Sequence, residues 1–282
     1  MESIKEELKN LIQVAASKSA LYNRNLLKDY LQILVLDFIY SHPHYSDLVF
    51  YGGSSLAQCY GLPRLSENLD FVDLKKKIDI VKLKVDLESF FKTKYDFSVK
   101  ATAQKFRVYL KFPILHELGL ASKSESNLLF LKVEVFSEFN FCKKHKIEIL
   151  PLFKYNKSIL IKSFDLSTLM ATKIRAIFNR QWKKTSKQGN DSIIVKGRDY
   201  FDLMWYLEKG IAPNITCIEN VKNITELKKM LLDNIRKADA KSIELDLEAL
   251  IDDAGYIKNV SKNMKNILEN LINSKLENTD LA

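Results

Sequence analysis

Two adjacent glycines interrupt a run that otherwise reads as a β-strand. Asp47 to Tyr51 is β-rich, Gly52-Gly53-Ser54-Ser55 follows at once, and a short helical stretch then leads to the extended segment Asn68-Leu69-Asp70. Glycines at a strand end let the backbone approach a bulky group, and a helix starting there offers its first N–H groups and positive dipole end. Such a turn is a phosphate cradle. An acidic residue one strand later, Asp70, is placed to hold the cation that a polyphosphate carries, and Asn68 offers a neutral carbonyl oxygen beside it.

The rest of the chain is read as support for that unit. Apolar residues recur at helical spacing over residues 3–19 and 24–41, so two helices precede the first strand, with His42-Pro43-His44 as the turn. A further amphipathic helix is expected over Asp79 to Lys94. Strand-like runs follow at Tyr95–Ala101, Phe106–Phe112, Leu128–Phe136, Lys146–Leu150 and Ser158–Ile161. Strand, helix, strand and then a series of strands implies an α+β fold with a mixed sheet. In Leu131-Lys132-Val133-Glu134-Val135 the alternation puts the valines on one face and Glu134 on the other.

A second informative stretch runs from Ser163 to Glu208. Asp165 starts a helix on which Lys173 and Arg180 lie seven residues apart, two turns along one edge of its apolar side. The stretch Lys183–Asp191 reads as a polar loop. Beyond it, Lys196-Gly-Arg198-Asp199-Tyr-Phe-Asp202 opens another helix with both aspartates on one face. Taken alone, that motif is also what a helix-start charge network looks like. Residues 215–276 are helical in period. The division expected is 1–162 for a sheet-bearing domain and 163–282 for a helical one.

Charge is uneven. Of a net +9, the window 141–200 holds 14 Lys/Arg against 4 Asp/Glu, so the basic excess is concentrated there. This suits a polyanion such as RNA, and equally a solvated basic surface. Cys59, Cys142 and Cys217 form no Cys-x-x-Cys pair, which implies plain thiols in a reducing compartment and no structural zinc. The opening residues carry no signal-peptide apolar core, and the most apolar run, Leu31–Tyr40, is far below the roughly 20 residues of a membrane span. A cytoplasmic protein is expected.

Gly-Gly-Ser-Ser-Leu, thirteen residues between Ser54 and Asn68, and then Arg64-Leu-Ser-Glu-Asn68-Leu-Asp70-Phe resemble the nucleotidyltransferase superfamily signature. Together with the lysine and Arg-Asp-x-x-Asp-Leu block at 173–203, the wording looks most like the AbiEii/AbiGii-type abortive-infection toxins. That resemblance implies a nucleotidyltransferase-like mixed sheet with flanking helices, and a helical C-terminal domain completing the active-site cleft. It implies Mg²⁺ and an NTP substrate. Gly53, Ser54, Ser55, Arg64, Lys173 and Arg180 would contact nucleotide; Asn68, Asp70 and Glu134 would hold metal; Asp70, Glu134, Lys173 and Asp199 would carry catalysis. An RNA acceptor, a tRNA 3′ end met through the 141–200 region, and a cognate antitoxin follow from the same resemblance. The first metal position holds Asn68 where the common form has Asp, which bears on a second metal ion. Two other readings stay open: a nucleotide- or RNA-binding relative with weakened catalysis, and transfer to a protein or small molecule.

Overall fold

A computed structural model describes residues 4–15, 19–180, 182–185 and 191–276, with 182–185 and 191–194 described by backbone alone. The chain divides into two compact units: Met1–Phe139 with Ile147–Ser163, and Asn140–Lys146 with Phe164–Ala282.

The first unit runs α1 (Ile4–Val14), α2 (Ala20–Ser41), β1 (Val49–Tyr51), α3 (Gly52–Cys59), β2 (Asn68–Val72), α4 (Ile80–Tyr95), β3 (Lys100–Gln104), β4 (Arg107–Pro113), β5 (Leu128–Phe136), β6 (Ile147–Lys154) and β7 (Lys157–Phe164). These strands form one seven-stranded sheet in the order β3-β4-β5-β2-β1-β7-β6. Pairing is parallel for β1 with β7 and β2 with β5, and antiparallel for β1 with β2, β3 with β4 and β4 with β5. The sheet is therefore mixed, and the fold is α+β, as the element order predicts.

Strand parity decides where the core lies. Leu69 and Phe71 of β2, Leu131, Val133 and Val135 of β5, and Val108, Leu110 and Phe112 of β4 are all buried with Leu83, Leu87 and Phe91 of α4 and much of α2. Each such side chain contributes on the order of 1.5–3 kcal/mol by leaving water. The alternate positions carry the polar residues, Asn68 and Asp70, Arg107 and Lys111, and Lys132 and Glu134, together with apolar Val72, Leu128, Phe130 and Phe136. Because α2 is buried on most of its surface, its polar residues need partners. Asp29 is met by Lys154 at 2.7 Å, Gln58 at 2.7 Å and Tyr155 at 2.9 Å, and the Gln32 amide donates to the Ser66 carbonyl at 2.7 Å. This network ties α2 to α3 and to the loop that precedes β2.

One expected strand begins later than its sequence suggests. The helix α4, capped by Asp79, whose carboxylate accepts from the Val81 and Lys82 amides, runs through Tyr95. Asp96 then turns left-handed (φ 46°), and strand pairing starts only at Lys100. The aromatic and β-branched residues of 95–99 serve packing there: Phe97 and Val99 are buried without joining the sheet.

The second unit holds α5 (Leu166–Asn179), β8 (Trp182–Thr185), β9 (Asp191–Ile194), α6 (Gly197–Glu208), a 3-10 turn (Ile215–Cys217), α7 (Ile224–Lys237), α8 (Ala240–Leu247) and α9 (Ala254–Lys275). Asp165, Asn223, Asp239 and Asp253 each cap a helix start by accepting a backbone N–H, which is why these helices begin where they do. α6 is the central helix, packed against α5, α8 and α9. The expected polar loop at 183–191 has an antiparallel hairpin at its ends, β8 with β9, while 186–190 lie outside the described residues. Two of the three cysteines are not thiols: Cys142 and Cys217 form a disulfide across 75 residues of sequence, with Cα atoms 4.2 Å apart. That separation hides the pair from a spacing argument. Cys59 keeps its thiol, and burial pushes its pKa up to about 12. Among the described residues, no helix is long and apolar enough to cross a membrane.

Candidate nucleotide site

The glycine turn is built as the sequence suggests. Gly52 opens α3 at φ +78°, and no side chain caps that helix start, where Tyr51 is the N-cap residue. Gly52 is required by its left-handed backbone, and side-chain ends approach both glycines closely. A Cβ on Gly52 would lie 2.8 Å from Asp70 Oδ2, and one on Gly53 would lie 2.5 Å from an Arg64 guanidinium nitrogen. Asp70 and Arg64 are therefore packed onto the turn from two directions. Arg64 is buried and also donates to the Leu65 carbonyl at 2.8 Å. Ser54 is fully buried, and its hydroxyl has no hydrogen-bond partner, a cost of about 1–3 kcal/mol for a group so placed. Ser55 is engaged in the scaffold: its hydroxyl lies 2.8 Å from that of Ser163, which in turn donates to the Phe50 carbonyl at 3.0 Å.

Register brings the carboxylates together. Asp70 on β2 lies beside Glu134 on parallel β5 and opposite Tyr51 on β1, while Asn68 lies beside Lys132. Arg107 on β4 pairs opposite Glu134. One row thus crosses four strands: Tyr51, Asp70, Glu134, Arg107. The Glu134 carboxylate takes Arg107 Nε on one oxygen at 2.5 Å and Lys132 Nζ on the other at 2.8 Å. Burial alone would lower the Arg107 pKa, but the charge and hydrogen bond of Glu134 outweigh it and raise the guanidinium above its ordinary value.

The donor set at this face fits one hard cation. Asp70, Glu134 and the Asn68 carbonyl are all oxygen donors, the chemistry that Mg²⁺ selects, and Mg²⁺ commonly rests on one or two carboxylates plus substrate phosphates. Among the described residues no group of three His, Cys, Asp or Glu side chains is gathered that could hold a metal alone.

The second constellation is in the other unit. Lys173 on α5 sends Nζ between Asp199 Oδ1 and Asp202 Oδ2 of α6, 2.7 Å from each. Arg180, at the C-cap of α5 and more than half exposed, reaches Asp199 Oδ2 at 3.7 Å. The two aspartates are buried, so the lysine is their main counter-charge. α6 itself is held at its start by Asp246, whose carboxylate accepts from the Arg198 amide at 2.9 Å.

The site residues expected from sequence thus fall into two groups: Gly53, Ser54, Ser55, Arg64, Asn68, Asp70 and Glu134 in the first unit, and Lys173, Arg180 and Asp199 in the second. Sequence reasoning passed over Arg107 and Lys132, whose partnership with Glu134 depends on strand register. It also gave no task to Asp202, although its i, i+3 spacing from Asp199 was the available signal. The basic window disperses: Lys154, Lys157, Lys162, Lys173, Arg175, Arg180 and Arg198 all pair with carboxylates, and the window is split between the units.

A glycine turn feeding a helix, with in-register carboxylates on the adjacent strands of a mixed sheet, is the arrangement of a nucleotidyltransferase. The chain matches the family described as nucleotidyl transferase AbiEii toxin, Type IV toxin–antitoxin system, over residues 36–277, and it belongs to that family. No curated protein sequence matches it. Among solved structures it is similar to JHP933 from Helicobacter pylori, at 17% identity over 95% of this chain and 93% of that one, with a TM-score of 0.48. It is also similar to an H. pylori protein provisionally named a nucleotidyltransferase, at 17% identity over 87% and 96%, with a TM-score of 0.45.

Proposed function

We propose that this nucleotidyltransferase is Mg²⁺-dependent and moves the nucleotidyl group of an NTP onto an RNA hydroxyl, with a tRNA 3′ end as acceptor and a cognate antitoxin as its regulator. The observation that carries the reading is Asp70, in register with Glu134 and pressed against the Gly52-Gly53 turn. In this reading the N-terminus of α3 and the Ser54 hydroxyl bind the terminal phosphates, which supplies the partner that hydroxyl lacks. Asp70 and Asn68 would hold Mg²⁺, joined by Glu134 on exchange of its Arg107 or Lys132 contact for the ion, and the ion when bound would offset charge on the phosphates. Arg64 fixes the turn from behind. In the helical unit, Lys173 is the residue that would supply positive charge to the reaction, with Arg180, and Asp199 holds that lysine in place.

The test is incubation of the purified protein with each α-labelled NTP, Mg²⁺ and total tRNA. Label on RNA that is absent for Asp70→Ala supports the reading. Label only on protein or on a small-molecule acceptor overturns the choice of RNA, and bound nucleotide with no labelled product overturns transfer. Asn68→Asp should retain or raise activity; a hundredfold fall would show that a neutral side chain is needed at that position. Gly52→Ala acts on the same carboxylate from the other side, displacing Asp70 and costing about 1–2 kcal/mol for its left-handed backbone.

A further inference from the structure

We propose that the polar face of β3, β4 and β5 is a docking platform for the single-stranded end of an RNA, a proposal that rests on the reading of RNA as acceptor. Strand parity and register set nine of the side chains on this face in three rows, with Pro113 paired to Leu128 beyond them. Lys100 lies opposite Lys111 and Lys111 opposite Phe130; Thr102 opposite Tyr109 and Tyr109 opposite Lys132; Gln104 opposite Arg107 and Arg107 opposite Glu134. The other face of the same strands is the core.

Three features of the face point to a polyanion with exposed bases. First, Lys100 and Lys111 are directly opposed like charges, a destabilising cross-strand pair, and neither has an ion-pair partner among the described residues. A phosphate chain is complementary to such a pair. Second, Glu134 is the sole carboxylate among the nine, and both of its oxygens are already committed to Arg107 and Lys132. Third, Phe130 is 46% exposed beside Lys111, and Tyr109 stands beside Lys132, so aromatic rings alternate with cations. An exposed ring such as Phe130, with half-buried Tyr109 near it, offers a surface on which unpaired bases stack, whereas a duplex keeps its bases covered.

The placement also has a direction. The Arg107 row continues through Glu134 to Asp70, so a strand lying across the platform has its end aimed at the carboxylate of the glycine turn.

Fluorescence anisotropy on the full chain tests this with a labelled single-stranded RNA oligonucleotide and the same strand in a blunt duplex, across a salt series. The expected result is tighter binding of the single strand. The double substitution Lys100→Glu, Lys111→Glu should weaken it at least tenfold and lower the salt slope by about 1.4, two phosphate contacts' worth. Phe130→Ser should weaken it about fivefold or more. Lys111→Gln should give a smaller loss in the same direction, and thermal midpoints should hold. Lys258→Glu with Lys262→Glu, exposed on α9 and outside the 141–200 window, should leave binding unchanged. The proposal is overturned by absent single-strand binding, by equal duplex binding, by platform variants that bind like the parent, or by an equal loss from the control pair. Transfer assays on the same preparations separate the two claims. Transfer to RNA that persists with unaltered binding in the platform variants sinks the platform alone. Platform-dependent binding in a protein that transfers nothing sinks the activity and leaves the platform standing.

Discussion

Glu134 and Lys173 are held in opposite senses. On the sheet, one carboxylate sits between two cations, Arg107 and Lys132, whose side chains are 37% and 25% exposed. In the helical unit, one ammonium sits between two carboxylates, Asp199 and Asp202, whose side chains are 3% and 0% exposed. The first trio carries a surplus positive charge beside solvent; the second carries a surplus negative charge inside packed helices, with Arg180 reaching it from the edge. Water can replace a partner in the first and not in the second. The same ionic chemistry therefore serves the sheet as an adjustable surface and the helices as a fixed mount.

Removing the centre of each trio should expose that contrast. Lys173→Met leaves two carboxylates buried without their main counter-charge and should cost about 3–5 kcal/mol in unfolding free energy, read by urea titration, along with loss of transfer. An unchanged midpoint would mean that the aspartates are wetter than their burial indicates. Next in size, Asp202→Asn keeps the shape but halves the negative charge holding Lys173. A loss of about 1–3 kcal/mol is expected, since a buried charge-assisted hydrogen bond is weakened. If Asp202 acts by positioning Lys173, transfer should also fall at saturating NTP, with Asp202→Glu restoring part of it. Glu134→Gln should cost about 1 kcal/mol or less, because its cations can turn to water. A cost as large as that of Lys173→Met would erase the distinction drawn between the two trios.

The smallest effect is set by a third trio, fully at the surface. Asp47 pairs with Lys162 at 2.7 Å and with Lys75, and these hydrogen bonds hold its carboxyl down at about 2. A carboxyl depressed in the folded state stabilises above its unfolded value of about 3.9 and loses that contribution as pH falls through about 2. Asp47→Asn should thus flatten slightly the fall in stability between pH 4 and 2, followed by thermal melts in that range. A steeper fall in the variant would reverse the sign of the argument.

Much of this was legible before any coordinates. Gly52, Gly53 and Asp70 announced themselves because a glycine pair after a strand has few uses, and Glu134 because alternation fixes its face. Asp165 marked its helix start by capping. What stayed hidden was whatever depends on register or on distant partners. Arg107 meets Glu134 only because β4 pairs with β5 at one offset, and Cys142 finds Cys217 across most of a unit. A running sum of charge over 141–200 could not see that Lys154, Lys157 and Lys162 are matched by Asp29, Asp37 and Asp47, all far upstream. The strand expected at Tyr95 failed because β-favouring residues are used there to pack a helix end.

The parallel alignment of β2 with β5 also bears on how such a chain tolerates insertions and deletions. Residues may be gained or lost in the stretch between α3 and β2, or between β4 and β5, without exchanging one side of the pleat for the other. Deleting a single residue inside β5 would swap Glu134 with a valine, sending the acid toward Phe71 and Leu110 and the oil toward solvent. Drift in length should accordingly collect in the connecting turns, while the count of residues within these two strands stays frozen.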